Sequence, residues 1–200
     1  RRKKSSIPMA TLVGYTNAGK STLFNALSNA KVTAADQLFT TLDPVTRRIR
    51  LPSGAPMLLS DTVGFIQKLS PGLVAAFRAT LEELAESDIL LQVVDVTHPK
   101  AREQTRVVEN TLKDLGLEDR PRLLVMNKMD LISSSPSSQS SSAGAAGQNG
   151  LPVEDASTGV LVSAAKGWNL DHLLREIEEL LISIEGPLTV VSPPGNREYR

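Results

Sequence analysis

The chain has 200 residues, enough for one domain with a buried core, and its 22 basic residues balance its 22 acidic ones. This balance does not favour DNA as a partner, and the absence of cysteine excludes disulfides and thiolate metal sites. No apolar run approaches the roughly 20 residues of a membrane-spanning helix, so we expect no membrane partner either.

The composition also suggests how the chain is divided. We expect residues 1–8, which open with four cations, to be the basic end of a linker, residues 9–185 to be the domain, and residues 186–200 to be a C-terminal tail. Eight of the ten residues from 133 to 142 are serine, and the bias to small polar residues continues to about 158. Such a segment buries too little apolar surface to offset its ordering entropy, so we predict a disordered, low-complexity insertion there.

The most informative segment is 14–21, which reads Gly-Tyr-Thr-Asn-Ala-Gly-Lys-Ser and matches the P-loop pattern G-x-x-x-x-G-K-[ST]. A short apolar run precedes it and residues at helical spacing follow it, so strand, loop and helix occur in the required order. The glycines let backbone N–H groups cradle phosphate oxygens, Lys20 would reach the β- and γ-phosphates, and the Ser21 hydroxyl would coordinate Mg²⁺. The candidate nucleotide ligands here are Gly14, Asn17, Ala18, Gly19, Lys20, Ser21 and Thr22.

The rest of the chain alternates strands with helices. Strands are predicted at 45–51, 57–61, 89–95, 122–127 and 159–163, and helices at 73–86, 102–115 and 169–184, whereas 29–43 has no clean period and is predicted to be a loop. The turn at 52–54 makes a hairpin of the strands on either side of it. The pattern predicts an α/β fold of the P-loop NTPase kind, a doubly wound, mostly parallel sheet with one antiparallel edge hairpin.

A second phosphate motif follows the strand at 57–61. Asp61-Thr62-Val63-Gly64 places an aspartate at a strand end, where it would hold Mg²⁺ through water, and Gly64 could offer its N–H to the γ-phosphate. A D-x-x-G match is common by chance, but its distance after the P-loop favours function. In the loop before the hairpin, Thr41 is the candidate to coordinate Mg²⁺ and sense the γ-phosphate, with Thr40 as the alternative.

The tetrapeptide Asn127-Lys128-Met129-Asp130 predicts a guanine site. The Asp130 carboxylate would accept hydrogen bonds from guanine N1–H and the 2-amino group, which adenine cannot provide. Asn127 would bond the other edge of the base, and the Lys128 stem would pack over its ring. After the last strand, residues 163–166 read Ser-Ala-Ala-Lys, and a backbone N–H of Ser163, Ala164 or Ala165 would lie near guanine O6.

Taken in order, these motifs resemble those of the translation-factor class of GTPases. More narrowly, residues 13–21, 36–44, 61–66 and 73–83 are similar to the HflX family. This resemblance implies a G domain that binds GTP or GDP with Mg²⁺ and hydrolyses GTP, associated with the large ribosomal subunit, on which family members separate the subunits. We expect a monomer in the cytoplasm, although the serine-rich insertion leaves a chloroplast or the mitochondrial matrix open.

The catalytic candidates are Lys20, Thr41, Gly64 and Asn17. Phe65 stands where Ras-like enzymes carry the glutamine that orients the attacking water, so slow hydrolysis without a partner is expected. Asn17 is typical of P-loop GTPases that use K⁺ in place of an arginine finger. Two alternatives stay open: a nucleotide-gated binding module with negligible hydrolysis, and a tRNA-modification GTPase, which shares the loop ending in Lys20-Ser21 but not residues 36–44.

Overall fold

The computed structural model describes residues 7–28, 45–61, 84–132 and 159–185. Within those ranges six strands and four helices follow one another in this order: β1 Met9–Gly14, α1 Lys20–Ser28, β2 Val45–Arg50, β3 Pro56–Asp61, β4 Ile89–Asp95, α2 Ala101–Asp114, β5 Arg122–Asn127, α3 Met129–Ile132, β6 Gly159–Leu161 and α4 Leu170–Glu185. Most of the predicted helix 73–86, the predicted loop 29–43 and the serine-rich segment lie outside the described residues.

The strands form one sheet in the order β2-β3-β1-β4-β5-β6. Only the β2–β3 pair is antiparallel, and the other four pairs are parallel, as the sequence predicts. The chain runs first to one side of β1 and then to the other, so β1 lies where the strand order reverses. In open α/β sheets, ligands bind at the carboxyl ends of the strands beside such a reversal.

Helices cover both faces of the sheet. On one face, Leu23 and Phe24 of α1 and three α4 residues at helical spacing share a buried cluster with the strands. On the other face, Val108 and Leu112 of α2 pack in a second cluster with Val13 and Leu90. All seven residues of β4 are buried, which explains why its sequence is apolar nearly throughout.

The C-terminal helix is also tied to the edge hairpin. Glu178 of α4 is nearly buried, and its carboxylate accepts hydrogen bonds from the Ser53 backbone N–H, at 3.3 Å to each oxygen, and from the Ser53 hydroxyl. In β2 only Ile49 is buried, so fewer side chains of this edge strand contact the core than the alternating sequence predicts. The hydrogen bonds between Glu178 and Ser53 and the burial of Ile49 together hold the hairpin against the first cluster.

Candidate functional site

The P-loop joins β1 to α1 at the carboxyl edge of the sheet. Gly14 has φ +155°, and a Cβ built on it would collide with the carbonyl oxygen of Val93 on β4. Gly19 has φ +96°, and a Cβ there would collide with the side-chain nitrogen of Asn127. Both positions therefore require glycine, one for the approach to β4 and one for the approach to the loop after β5.

Lys20 folds back under this loop. Its ammonium donates hydrogen bonds to the carbonyl oxygens of Gly14, at 3.2 Å, and Tyr15, at 3.1 Å, and the residue is only 6% exposed. Burial lowers the pKa of this ammonium group from 10.5 to about 8, while the negative charge of Asp61 acts in the opposite direction. The charged form of Lys20 is therefore disfavoured by burial, and a nearby anion would stabilise it.

Oxygen groups suited to Mg²⁺ lie at the same edge. Asp61 is the last residue of β3, is 3% exposed and pairs in register with Leu12 of β1. Ser21 lies in the first turn of α1, directly after Lys20. Carboxylate and hydroxyl oxygens are the ligands that a hard cation prefers.

Asn127 connects the phosphate loop, residues 14–21, to the loop after β6. Its side-chain nitrogen donates to the Ala18 carbonyl oxygen at 3.0 Å, and its side-chain oxygen accepts from the Ala164 backbone N–H at 3.0 Å. The residue is 2% exposed and ends β5. Sequence reasoning assigns Asn127 to the base edge, and in the described chain its side chain also holds the phosphate loop and the loop after β6 to the end of β5.

The candidate guanine acceptor is oriented by the loop after β6. The Ser163 hydroxyl donates to the Asp130 carboxylate at 2.6 Å and accepts from the Lys166 backbone N–H at 3.2 Å. Because the Ala164 N–H is engaged by Asn127, the Ala165 and Gly167 N–H groups are the amides of this loop with no hydrogen bond to any described residue. Trp168 closes the loop by pairing its backbone with Ser163, but its side chain is half exposed and is therefore not the apolar anchor its type suggests.

Lys128 extends from the other end of the tetrapeptide. It has φ +69°, and its ammonium forms an ion pair with the Asp95 carboxylate at 2.7 Å. The second Asp95 oxygen accepts from the Thr97 N–H at 2.9 Å and from the Thr97 hydroxyl at 2.6 Å. Burial raises the pKa of the Asp95 carboxyl, but the hydrogen bonds from Lys128 and Thr97 outweigh it and hold the pKa below 3.8.

Sequence reasoning does not single out Asp95. The available signal is a charged residue ending a buried strand, at the same edge as the motifs after β3 and β5. Asp95 and Asn127 are register partners on β4 and β5, which places Lys128 next to the carboxylate. Two predicted site residues, Thr41 and Gly64, lie outside the described residues, as does Phe65.

The described ranges contain no helix long and apolar enough to cross a membrane. They also contain no group of three or more His, Cys, Asp or Glu side chains arranged to hold a metal ion.

Curated relatives match the chain along most or all of its length. It is 45% identical over 200 residues to a GTPase HflX from Caldanaerobacter subterraneus, covering 100% of this chain and 43% of that protein. It is 49% identical over 131 residues to GTPase HflX from Escherichia coli K12, covering 66% of this chain and 31% of that protein. The chain thus spans less than half the length of these relatives.

Solved structures of similar fold are GTP-binding proteins. Era from Aquifex aeolicus, bound to GDP·AlF4⁻, superimposes with a TM-score of 0.66 at 26% identity, over 96% of this chain and 60% of that one. A GTP-binding protein from Sulfolobus solfataricus in complex with GDP gives 0.65 at 26% identity, over 88% and 53%. These likenesses confirm the predicted sheet architecture.

A sequence profile described as "50S ribosome-binding GTPase" matches residues 9–128, more than half of the chain. The matched part contains the P-loop, Asp61, the Asp95 region and the start of the Asn127 tetrapeptide. The chain therefore belongs to the 50S ribosome-binding GTPase family and is of the HflX type.

Proposed function

We propose that the chain binds GTP and hydrolyses it to GDP and phosphate. The observation that carries this proposal is the position of Asn127, which bonds the phosphate loop through Ala18 and the last base loop through Ala164. A P-loop alone fits many nucleotides, and a strand-end aspartate alone fits many ligands. A side chain that joins the two loops fixes their relative position, which supports the proposal that both contact one nucleotide.

At the phosphate end, Lys20 and the N-terminus of α1 supply positive charge, and the backbone from Gly14 to Thr22 supplies N–H donors. Approach of a polyphosphate would draw the Lys20 ammonium from its carbonyl acceptors and restore its full charge. Ser21 and Asp61 would hold Mg²⁺, with Thr41 as a third candidate, and the ion would neutralise charge on the phosphate oxygens.

At the base end, Asp130 is held by the Ser163 hydroxyl so that its carboxylate can accept from guanine N1–H and the 2-amino group. Among the backbone amides of residues 163–165, that of Ala165 remains available to donate to O6, because the other two are engaged by Trp168 and Asn127. The Lys128 stem would cover one face of the ring. This set predicts preference for guanine over adenine nucleotides, measured as the ratio of the dissociation constants for GDP and ADP by calorimetry, and equal affinities would contradict it.

For hydrolysis, Phe65 provides no hydrogen bond to a water molecule, so the isolated chain should turn over slowly. The family relationship makes the large ribosomal subunit the natural candidate to complete the site. Phosphate release under multiple turnover should rise when 50S subunits are added. Equal rates with and without them would argue instead for a nucleotide-gated binding module, the alternative that Phe65 favours.

Asn17 makes K⁺ a candidate activator. It has φ +62°, a left-handed conformation that asparagine tolerates, at the turn of the phosphate loop. A monovalent cation held there would offset charge developing on the phosphates. Turnover measured in potassium chloride should exceed turnover in sodium chloride at equal ionic strength, and the difference should disappear in Asn17→Ala.

A further inference from the structure

The feature behind this inference is the carboxyl end of β4. Asp95 ends the strand, is 8% exposed, and presents one carboxylate oxygen to the ammonium of Lys128. The strand itself is buried along its whole length and hydrogen-bonds to β1 on one side and β5 on the other. The carboxylate is therefore carried by the most enclosed strand of the sheet, between the phosphate loop and the base loop.

The carboxylate is fixed before Lys128 reaches it. Its other oxygen accepts from the N–H and the hydroxyl of Thr97, and the Val96 N–H donates to the Asn127 carbonyl oxygen at 3.2 Å. The two hydrogen bonds from Thr97 restrict rotation of the carboxylate without any contribution from Lys128. The ammonium of Lys128 thus has a stationary partner, although its side chain is still 31% exposed.

We propose that Asp95 is a positioning residue for guanine nucleotides, because it holds the Lys128 side chain extended along the base site. This inference rests on the proposed nucleotide function, in which the Lys128 stem covers one face of the ring. A lysine side chain has four rotatable bonds, and ordering it costs free energy at the moment of binding. An anchored ammonium removes that cost in advance, which slows nucleotide dissociation without reading the base.

The test is the dissociation rate of fluorescent mant-GDP from the full chain with magnesium. Asp95→Asn keeps an oxygen for Thr97 but loses the negative charge, and we expect dissociation to become about tenfold faster. In the Lys128→Met background the same change should alter the rate by less than about twofold, because Asp95 acts through the ammonium. A loss of similar size in both backgrounds, or no loss in either, would overturn the inference.

Two further variants separate positioning from general damage. Asp95→Glu keeps the charge on a longer stem and should recover part of the loss seen with asparagine, again only when Lys128 is present. Glu103→Gln removes the exposed Lys100–Glu103 ion pair of α2, at 3.5 Å, and should leave dissociation unchanged. If Asp95→Asn does not fold, the Asp95→Glu comparison in the two backgrounds decides the matter.

Base preference distinguishes this inference from the proposed function. Asp95→Asn should weaken GDP and IDP, which lacks the 2-amino group, by the same factor, whereas Asp130→Asn should change their ratio. A wild-type chain that binds GDP no better than ADP would defeat the proposed function itself. If the wild-type chain prefers GDP and the Asp95 variants release GDP at the wild-type rate, only the role of Asp95 is refuted.

Discussion

Lys20 lies buried under the phosphate loop, and burial lowers the pKa of its ammonium group to about 8. A bound polyphosphate places negative charge beside the ammonium, which favours the charged form and raises the pKa again. We therefore expect GDP binding to take up a proton wherever the free protein has partly lost it. The affinity for GDP should fall as the pH rises through this pKa.

The size of the effect follows from the two pKa values. If the Lys20 pKa changes from about 8 in the free protein to near 10.5 in the complex, GDP binding takes up about 0.1 proton at pH 7 and about 0.5 proton at pH 8. The dissociation constant for GDP then rises about fourfold between pH 7 and pH 8.5.

Calorimetry of GDP binding in buffers of different ionisation enthalpy measures this uptake directly. Lys20→Met is the control, studied at concentrations high enough to saturate a weaker site, because any uptake that remains belongs to other groups. Those groups include the guanine N1–H, which is itself lost in alkaline solution. The same uptake at pH 8 in the wild type and in Lys20→Met would refute the assignment of the proton to Lys20.

Two further predictions concern stability. Gly19→Ala and Gly54→Ala place a side chain on a left-handed backbone, with φ +96° and +86°, but only at Gly19 would the Cβ collide with Asn127, since nothing lies within 4 Å at Gly54. Urea unfolding should therefore show that Gly54→Ala lowers the free energy of unfolding by about 1–2 kcal/mol and that Gly19→Ala lowers it further. Equal decreases in the two variants would contradict the predicted collision. Glu178→Gln should lower the free energy of unfolding by about 1 kcal/mol, and Ser53→Ala should cost less in that variant than alone, because the two residues share their hydrogen bonds.

The central strands are the elements best predicted from the sequence. The strands at 89–95 and 122–127 coincide with β4, which is buried along its whole length, and with β5, which is buried over its last three residues, because a strand enclosed on both faces must be largely apolar. Helix α4 is evident from its apolar stripe, and its buried side chains face the sheet as expected. Helix α3 escapes prediction because four residues are too few to show a helical period.

The residue types of the candidate site can be predicted from the sequence, but the contacts between them are harder to predict. The motifs identify Lys20, Asp61 and Asp130 one by one, because the phosphate, metal and guanine that we propose they bind would each require that residue type. The partners of Asn127 are 109 residues away at Ala18 and 37 residues away at Ala164, and no local pattern records such separations. Asp95 escapes prediction for the same reason, since its partner follows the next strand of the sheet.

The strand order explains why β4 matters although none of the recognised motifs lies on it. The phosphate loop follows β1 and the base loop follows β5, and β4 is the strand between them. Its Val93 carbonyl lies where a side chain at Gly14 would be, and its Asp95 carboxylate holds Lys128. A nucleotide that reaches from one loop to the other must cross the end of this strand. The end of β4 is therefore a common support for both halves of the site, so a change in its backbone should affect phosphate and base binding together, whereas a change at Asp130 should act on base binding alone.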